Sequence, residues 1–234
     1  MDTMTNKAYE HVRGRLLRGE FLPGARLGYA SLCKEIGVSA TPVREAVGKL
    51  ASDGLVELLP KRGAIVRRLH RNEMIDTYQI REVLEAYAAR RSAERITQAQ
   101  LRQLRELVQT TRDLAHQFRD GGERQMSAEM IHEFNAADLE FHMIIIESTR
   151  NRQLCKIVGD CHVVIRIFEC GRWESFDIPL VVSAYSFHRR IYRALSNRDG
   201  DRAEQLMGEH IRHGLEMAIA AMDKDKSPEW WRAP

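Results

Sequence analysis

The sequence has no run approaching the ~18 uninterrupted apolar residues that a membrane span requires. Its N-terminus, MDTMTNKAYEHVRGRLL, lacks the continuous apolar segment of a secretory signal. Both absences lead to the expectation of a cytoplasmic chain with no membrane partner. Cysteine is scarce, and Cys33, Cys155, Cys161 and Cys170 contain no CxxC pair. Neither a zinc ribbon nor a disulfide framework is therefore expected, and the four read as small buried side chains in a reducing compartment. The metalloprotease signature HExxH is missing as well. What is present is an ordinary folded composition, 44% hydrophobic and 29% charged. At 234 residues it is long for one small domain and sufficient for two.

Charge is unevenly spread. Residues 1–70 carry twelve Lys/Arg against seven Asp/Glu, a net of +5, whereas the remainder carries twenty-four against twenty-six, a net of −2. A polyanion is expected to meet the first part alone. Within it, Lys7 to Arg18 places Ala8, Val12 and Leu16 on one helical face, with Leu17 one step off. Pro23-Gly24 stops that helix. A second short helix is expected with Leu27, Leu32, Cys33 and Ile36 apolar, ending at Gly37. Thr41 is expected to cap a third helix with Pro42 in first position, and Val43, Ala46, Val47 and Leu50 form its buried stripe before Gly54 closes it. Two β-prone runs, Leu55–Leu59 and Ala64–Val66, flank Pro60-Lys61-Arg62-Gly63, a hairpin with a basic tip. Three helices followed by a basic hairpin make a winged helix-turn-helix.

With the stripe buried, Thr41, Arg44, Glu45 and Gly48 face outward. The N-terminal end of a recognition helix enters the major groove, so Ser39, Thr41 and Arg44 are placed for base edges and phosphates. Lys61 and Arg62 suit phosphate or minor-groove contact, and Gly63 lets the backbone approach closely. Any one of these is ordinarily a solvated surface residue; the conjunction of order, spacing and charge carries the DNA-binding reading.

The run PGARLGYASLCKEIGVSATPVREAVGKLASDGLVELLPKRGAIV resembles the winged helix of the GntR family, most specifically in Gly-Val-Ser-x-Thr-Pro-Val-Arg-Glu-Ala from Gly37 to Ala46. The resemblance implies operator contact by Thr41 and Arg44. Ala40 departs from it: relatives commonly carry there an arginine that touches DNA, so that contact does not carry over.

From Arg71 onward the chain reads as helices, near Asn72–Ile96, Gln98–Phe118, 125–148, 152–170, 178–197 and 199–222, with breaks that include Gly121-Gly122 and Ser175-Phe176-Asp177. Such a set makes an all-α bundle around a central core. The expected organisation is thus mainly α: residues 1–70 a DNA-binding domain, 71–222 a helical ligand- and metal-binding domain, and 223–234 a tail carrying Trp230-Trp231. Polar residues stand on its apolar faces. Asp138 and His142, at i and i+4, share the side of Phe134, Phe141 and Ile145; His188 lies with Tyr185, Tyr192 and Leu195; His210 follows Leu206 and Met207 and precedes Ile211, Leu215 and Met217. If these four converge, they hold a first-row metal through nitrogen and oxygen: zinc, nickel, manganese or iron. If they do not, they are satisfied core residues, and His116, His132, His162 and His213 show how common an unremarkable histidine is in this chain.

Residues 71–222 are similar to the FCD effector domain of the FadR subfamily. In that family Asp-x3-His on one helix joins two later histidines to hold a metal, which implies Asp138, His142, His188 and His210 as ligands here, with zinc or nickel as the ion. The same resemblance implies a small carboxylate effector, with Arg81 facing the cavity; Arg166, set among Val163, Val164, Ile165, Ile167 and Phe168, is a second candidate. For Arg81, an i,i+4 pair with Glu85 stands as the alternative. A dimer on a pseudo-palindromic operator follows, and repression relieved by effector is the commoner behaviour of the family. Two rivals remain at this stage: a metal-dependent hydrolase, and a DNA-binding protein whose helical part is purely structural.

Overall fold

The computed structural model describes residues 3–60, 63–120, 126–169 and 178–224. Lys61, Arg62, Cys170, the Gly121-Gly122 break, the 175–177 loop and the Trp230-Trp231 tail lie outside the described residues. Contacts divide the chain into two units, Met1–Leu69 with Val163–Arg172, and His70–His162 with Trp173–Pro234.

In the first unit α1 (Met4–Leu17), α2 (Tyr29–Ile36) and α3 (Ala40–Ser52) bury Ala8, Val12 and Leu16, then Leu32 and Ile36, then Val43, Ala46, Val47 and Leu50 in one core. The same core takes Ile167 from the segment Val163–Arg172, although the sequence reading placed that segment in the helical domain; Ile167 is fully buried and Val163 and Val164 pack beside it. Gly37 ends α2 in the left-handed region, φ 75°, where a Cβ is strained. Strands β2 (Val56–Leu59) and β3 (Gly63–Val66) pair antiparallel from Val56↔Val66 to Leu59↔Gly63, forming the expected hairpin.

Two local expectations need correction. Leu27 is not helical: it belongs to a two-residue strand, β1 (Arg26–Leu27), that pairs with β3 and gives a sheet of order β1-β3-β2. Ser39, rather than Thr41, occupies the N-cap of α3, and Pro42 is the third helical residue. Proline is tolerated there because the first-turn amides have no helical acceptor.

The second unit contains α4 (Arg71–Arg95), α5 (Gln98–Asp120), α6 (Ala128–Ser148), the first part of α7 (Arg152–Glu169), α8 (Ile178–Ser196) and α9 (Gly200–Lys224). Helix α4 starts at a capping box, with Glu73 Oε2 accepting from the His70 amide at 3.0 Å. It packs along α9, while α5 packs against α6 and α8. Its buried row Met74, Tyr78, Arg81, Glu85, Ala88 and Ser92 advances by alternating fours and threes, which carries two charged side chains into the bundle. Helix α6 contributes Phe141, Ile145 and Ile146, all essentially without solvent contact. Cys33, Cys155 and Cys161 are free thiols.

Candidate functional site

Helix α3 presents two different kinds of polar residue. Glu45 accepts from Thr5 Oγ1 at 2.6 Å, and Lys49 lies over the Tyr9 ring at 4.3 Å, so both are held by α1. The Tyr9 hydroxyl donates to Asp53 at 2.6 Å, and burial together with that carboxylate pushes its pKa up to about 12. Arg44 and Thr41 are exposed, and Arg44 makes no ion pair among the described residues. Ser39 makes no side-chain cap bond, which leaves the first-turn amides of α3 open to an anion. At the wing, Gly63 has φ 86°, a conformation that a side chain would strain.

The polar cluster of the helical unit is assembled from three helices, α6, α8 and α9. His142 Nε2 and His188 Nε2 each stand 3.2 Å from His210 Nε2, and Asp138 Oδ1 is 3.4 Å from His188 Nε2 and 4.0 Å from His142 Nε2. All four donor atoms lie within 4.8 Å of one another. Two N/O donors at about 2.1 Å from an ion and at a tetrahedral angle stand about 3.4 Å apart, so the spacing fits a common ion. His188 is fully buried and stacks on Phe141, centroids 4.0 Å apart and planes at 12°; its Nδ1 has no hydrogen-bond partner among the described residues.

Behind His142 lies a second gathering. Glu85, fully buried on α4, meets His142 Nδ1 through Oε2 at 2.5 Å and His162 Nε2 through Oε1 at 3.0 Å, and Oε1 also accepts from Arg81 Nε at 2.7 Å. Burial favours a neutral Glu85, but Arg81 and then His162 and His142 hold its pKa well below the ordinary range. Asp138 is likewise held low: burial opposes ionisation, but the hydrogen bond from His188 and the surrounding imidazoles prevail. Burial lowers the pKa of His188 and of His210. Burial and then the Arg81 charge bring His162 down to about 4. Near neutral pH His162, His188 and His210 are therefore uncharged and the carboxylates ionised, the state in which such groups bind a cation.

Comparison with known proteins decides what carries these two sites. Residues 4–66 match the model described as "Bacterial regulatory proteins, gntR family", and residues 76–213 match the FCD domain. The chain belongs to the GntR family and carries an FCD domain. It is a DNA-binding transcriptional regulator, not an enzyme, and the hydrolase alternative falls with that membership. Among its GntR relatives is the HTH-type transcriptional repressor RspR of Escherichia coli, 28% identical over 210 residues, covering 89% of this chain and 86% of RspR. The Nta operon transcriptional regulator of Aminobacter aminovorans is 28% identical over 200 residues, covering 85% and 87%. The structure of E. coli McbR/YncC shares the fold with TM-score 0.77 at 22% identity, covering 96% of this chain and 100% of that one. A putative GntR regulator from Rhodococcus sp. RHA1 has TM-score 0.73 at 21% identity, covering 95% and 99%. FCD domains often bind metal, and the described residues hold two clusters that could take an ion. No helix of the described residues is long and apolar enough to cross a membrane.

The four sequence-inferred ligands Asp138, His142, His188 and His210 thus come together in this GntR-type chain. Arg81 forms the pair with Glu85 that the sequence reading held open as its alternative. Arg166 falls in the segment Val163–Arg172 of the first unit, and its Nε is buried without a partner among the described residues. Glu85 and His162 were missed as members. Their contacts span 57 and 77 positions in sequence, and the available signal was Glu85's place on the 4-3 spaced buried row of α4.

Proposed function

We propose that this regulator is a homodimeric, cytoplasmic repressor whose affinity for a two-fold operator is set by a small organic acid bound at a divalent metal in the FCD domain. The observation that carries the reading is the convergence of Asp138 Oδ1 with three Nε2 atoms, His142 and His188 buried and Asp138 and His210 half-buried. Asp138, His142, His188 and His210 would hold the ion, zinc or nickel, which when bound supplies an electrophilic point for a carboxylate oxygen. An ion held by these four residues would offer a carboxylate oxygen any coordination position that they leave open. Arg81, whose charge reaches His162 and His210, is the group assigned to assist the carboxylate.

On the DNA side Ser39, Thr41 and Arg44 read the major groove and Lys61, Arg62 and Gly63 follow the backbone. A dimer is supported by the exposed apolar stripe Ile80, Val83 and Tyr87 on α4, at 50%, 70% and 50% exposure. Control is by linkage: the acid shifts operator affinity only as far as it binds the DNA-competent and incompetent arrangements differently, about 5–150-fold in ordinary allosteric couplings.

Operator binding by three proteins, with and without effector, tests the reading. Arg44→Ala should lose specific binding, by about 1–3 kcal/mol for a paired base contact, and keep its metal. The double variant His142→Ala/His188→Ala should keep operator binding while losing metal and effector response. Stoichiometric metal in the double variant would sink the ligand assignment; undiminished specificity in Arg44→Ala would sink the recognition-helix assignment.

A further inference from the structure

Glu85 is a fully buried carboxylate with partners on both oxygens. Arg81 Nε keeps a positive charge 2.7 Å from Oε1. An ionised carboxylate can only accept hydrogen bonds, so the imidazole nitrogens that face it, His142 Nδ1 and His162 Nε2, must both carry hydrogen. For a neutral His142 this leaves one tautomer: Nδ1–H toward Glu85, and a bare Nε2 lone pair toward Asp138, His188 and His210. His188 is oriented by other means, namely its stacking on Phe141. The trio Glu85, His142 and His162 also has the spacing of a metal site. There, however, the guanidinium already occupies the cation's place on Oε1, and a divalent ion beside it would meet a fixed like charge.

Resting on the metal reading above, we propose that Glu85 is a positioning residue: it locks His142 in the Nε2-donor tautomer and ring orientation that the metal site requires, and Arg81 and His162 hold Glu85 in place. A carboxylate behind a metal-binding imidazole is worth about 10–100-fold in metal affinity, and that is the loss expected when Glu85 is replaced.

The test uses the full chain stripped with a chelator, cobalt(II) as probe, competition with a coloured chelator for affinity, and the visible ligand-field spectrum for geometry. Glu85→Gln should weaken cobalt binding about 10–100-fold and alter the spectrum, and Glu85→Asp should recover part of both. Because Glu85→Gln leaves Arg81 buried without its counter-charge, Arg81→Met/Glu85→Gln removes the pair together and should show the same weakening with native helical circular dichroism. Nitrogen-15 NMR of the metal-free wild type, which needs no substitution, should find His142 protonated at Nδ1 and bare at Nε2. The reverse tautomer, or a folded Glu85 variant that binds cobalt as tightly as wild type with an unchanged spectrum, overturns the role of Glu85 alone. Wild type that takes up no cobalt overturns the metal reading itself, and this proposal with it.

Discussion

His162 shows how a single residue links the buried cluster to solution conditions. Its ordinary pKa is 6.5, and burial with the neighbouring Arg81 charge lowers it to about 4. As pH falls, the unfolded chain takes up the proton first, so the stability present above about 6.5 is lost on the way down to about 4. His188 and His210 shift in the same direction and contribute with the same sign. The melting temperature of chelated protein should therefore fall across this window, less steeply in His162→Gln; a flat profile would contradict the neutral buried state. Helical stripes marked the faces of His188, His210 and the Asp138–His142 step, because face and spacing are local properties, whereas their convergence was implied by the resemblance to the FCD domain. His162 was not so marked, because what distinguishes it from an ordinary buried histidine is a partner on α4, and no local pattern encodes a contact across 77 positions.

At the scale of elements, each helix of the bundle begins and ends within a few residues of its periodic apolar pattern, since the pattern and the burial have one cause. The misread element was β1, a two-residue strand whose existence depends on pairing Arg26 with Ile65 and Leu27 with Ala64, not on its own sequence. Helix α3 supports a prediction of its own. Leu50 is fully buried in the winged-helix core, so Leu50→Ala should cost about 2–5 kcal/mol. Operator binding should weaken while the metal content of the protein is preserved, because none of the four inferred ligands belongs to that core. Loss of metal in parallel with operator binding would show that the two units do not hold their sites independently.

For the whole molecule, family membership fixes a DNA-binding regulator that carries an FCD domain. The central claim is that the cluster of Asp138, His142, His188 and His210 is a metal site that takes a small acid. A ligand that binds the folded chain alone, at about 100 times its dissociation constant, adds about 2.7 kcal/mol of stability, a rise of about 5–10 °C in melting temperature for a chain of this size. The measurement that meets the claim most directly is metal analysis of protein purified without chelator, joined to thermal shift against a panel of small carboxylates with and without EDTA. The account predicts stoichiometric metal and, for one acid, a shift of that size that EDTA abolishes; protein free of metal and indifferent to every acid would contradict it and return the four residues to core packing.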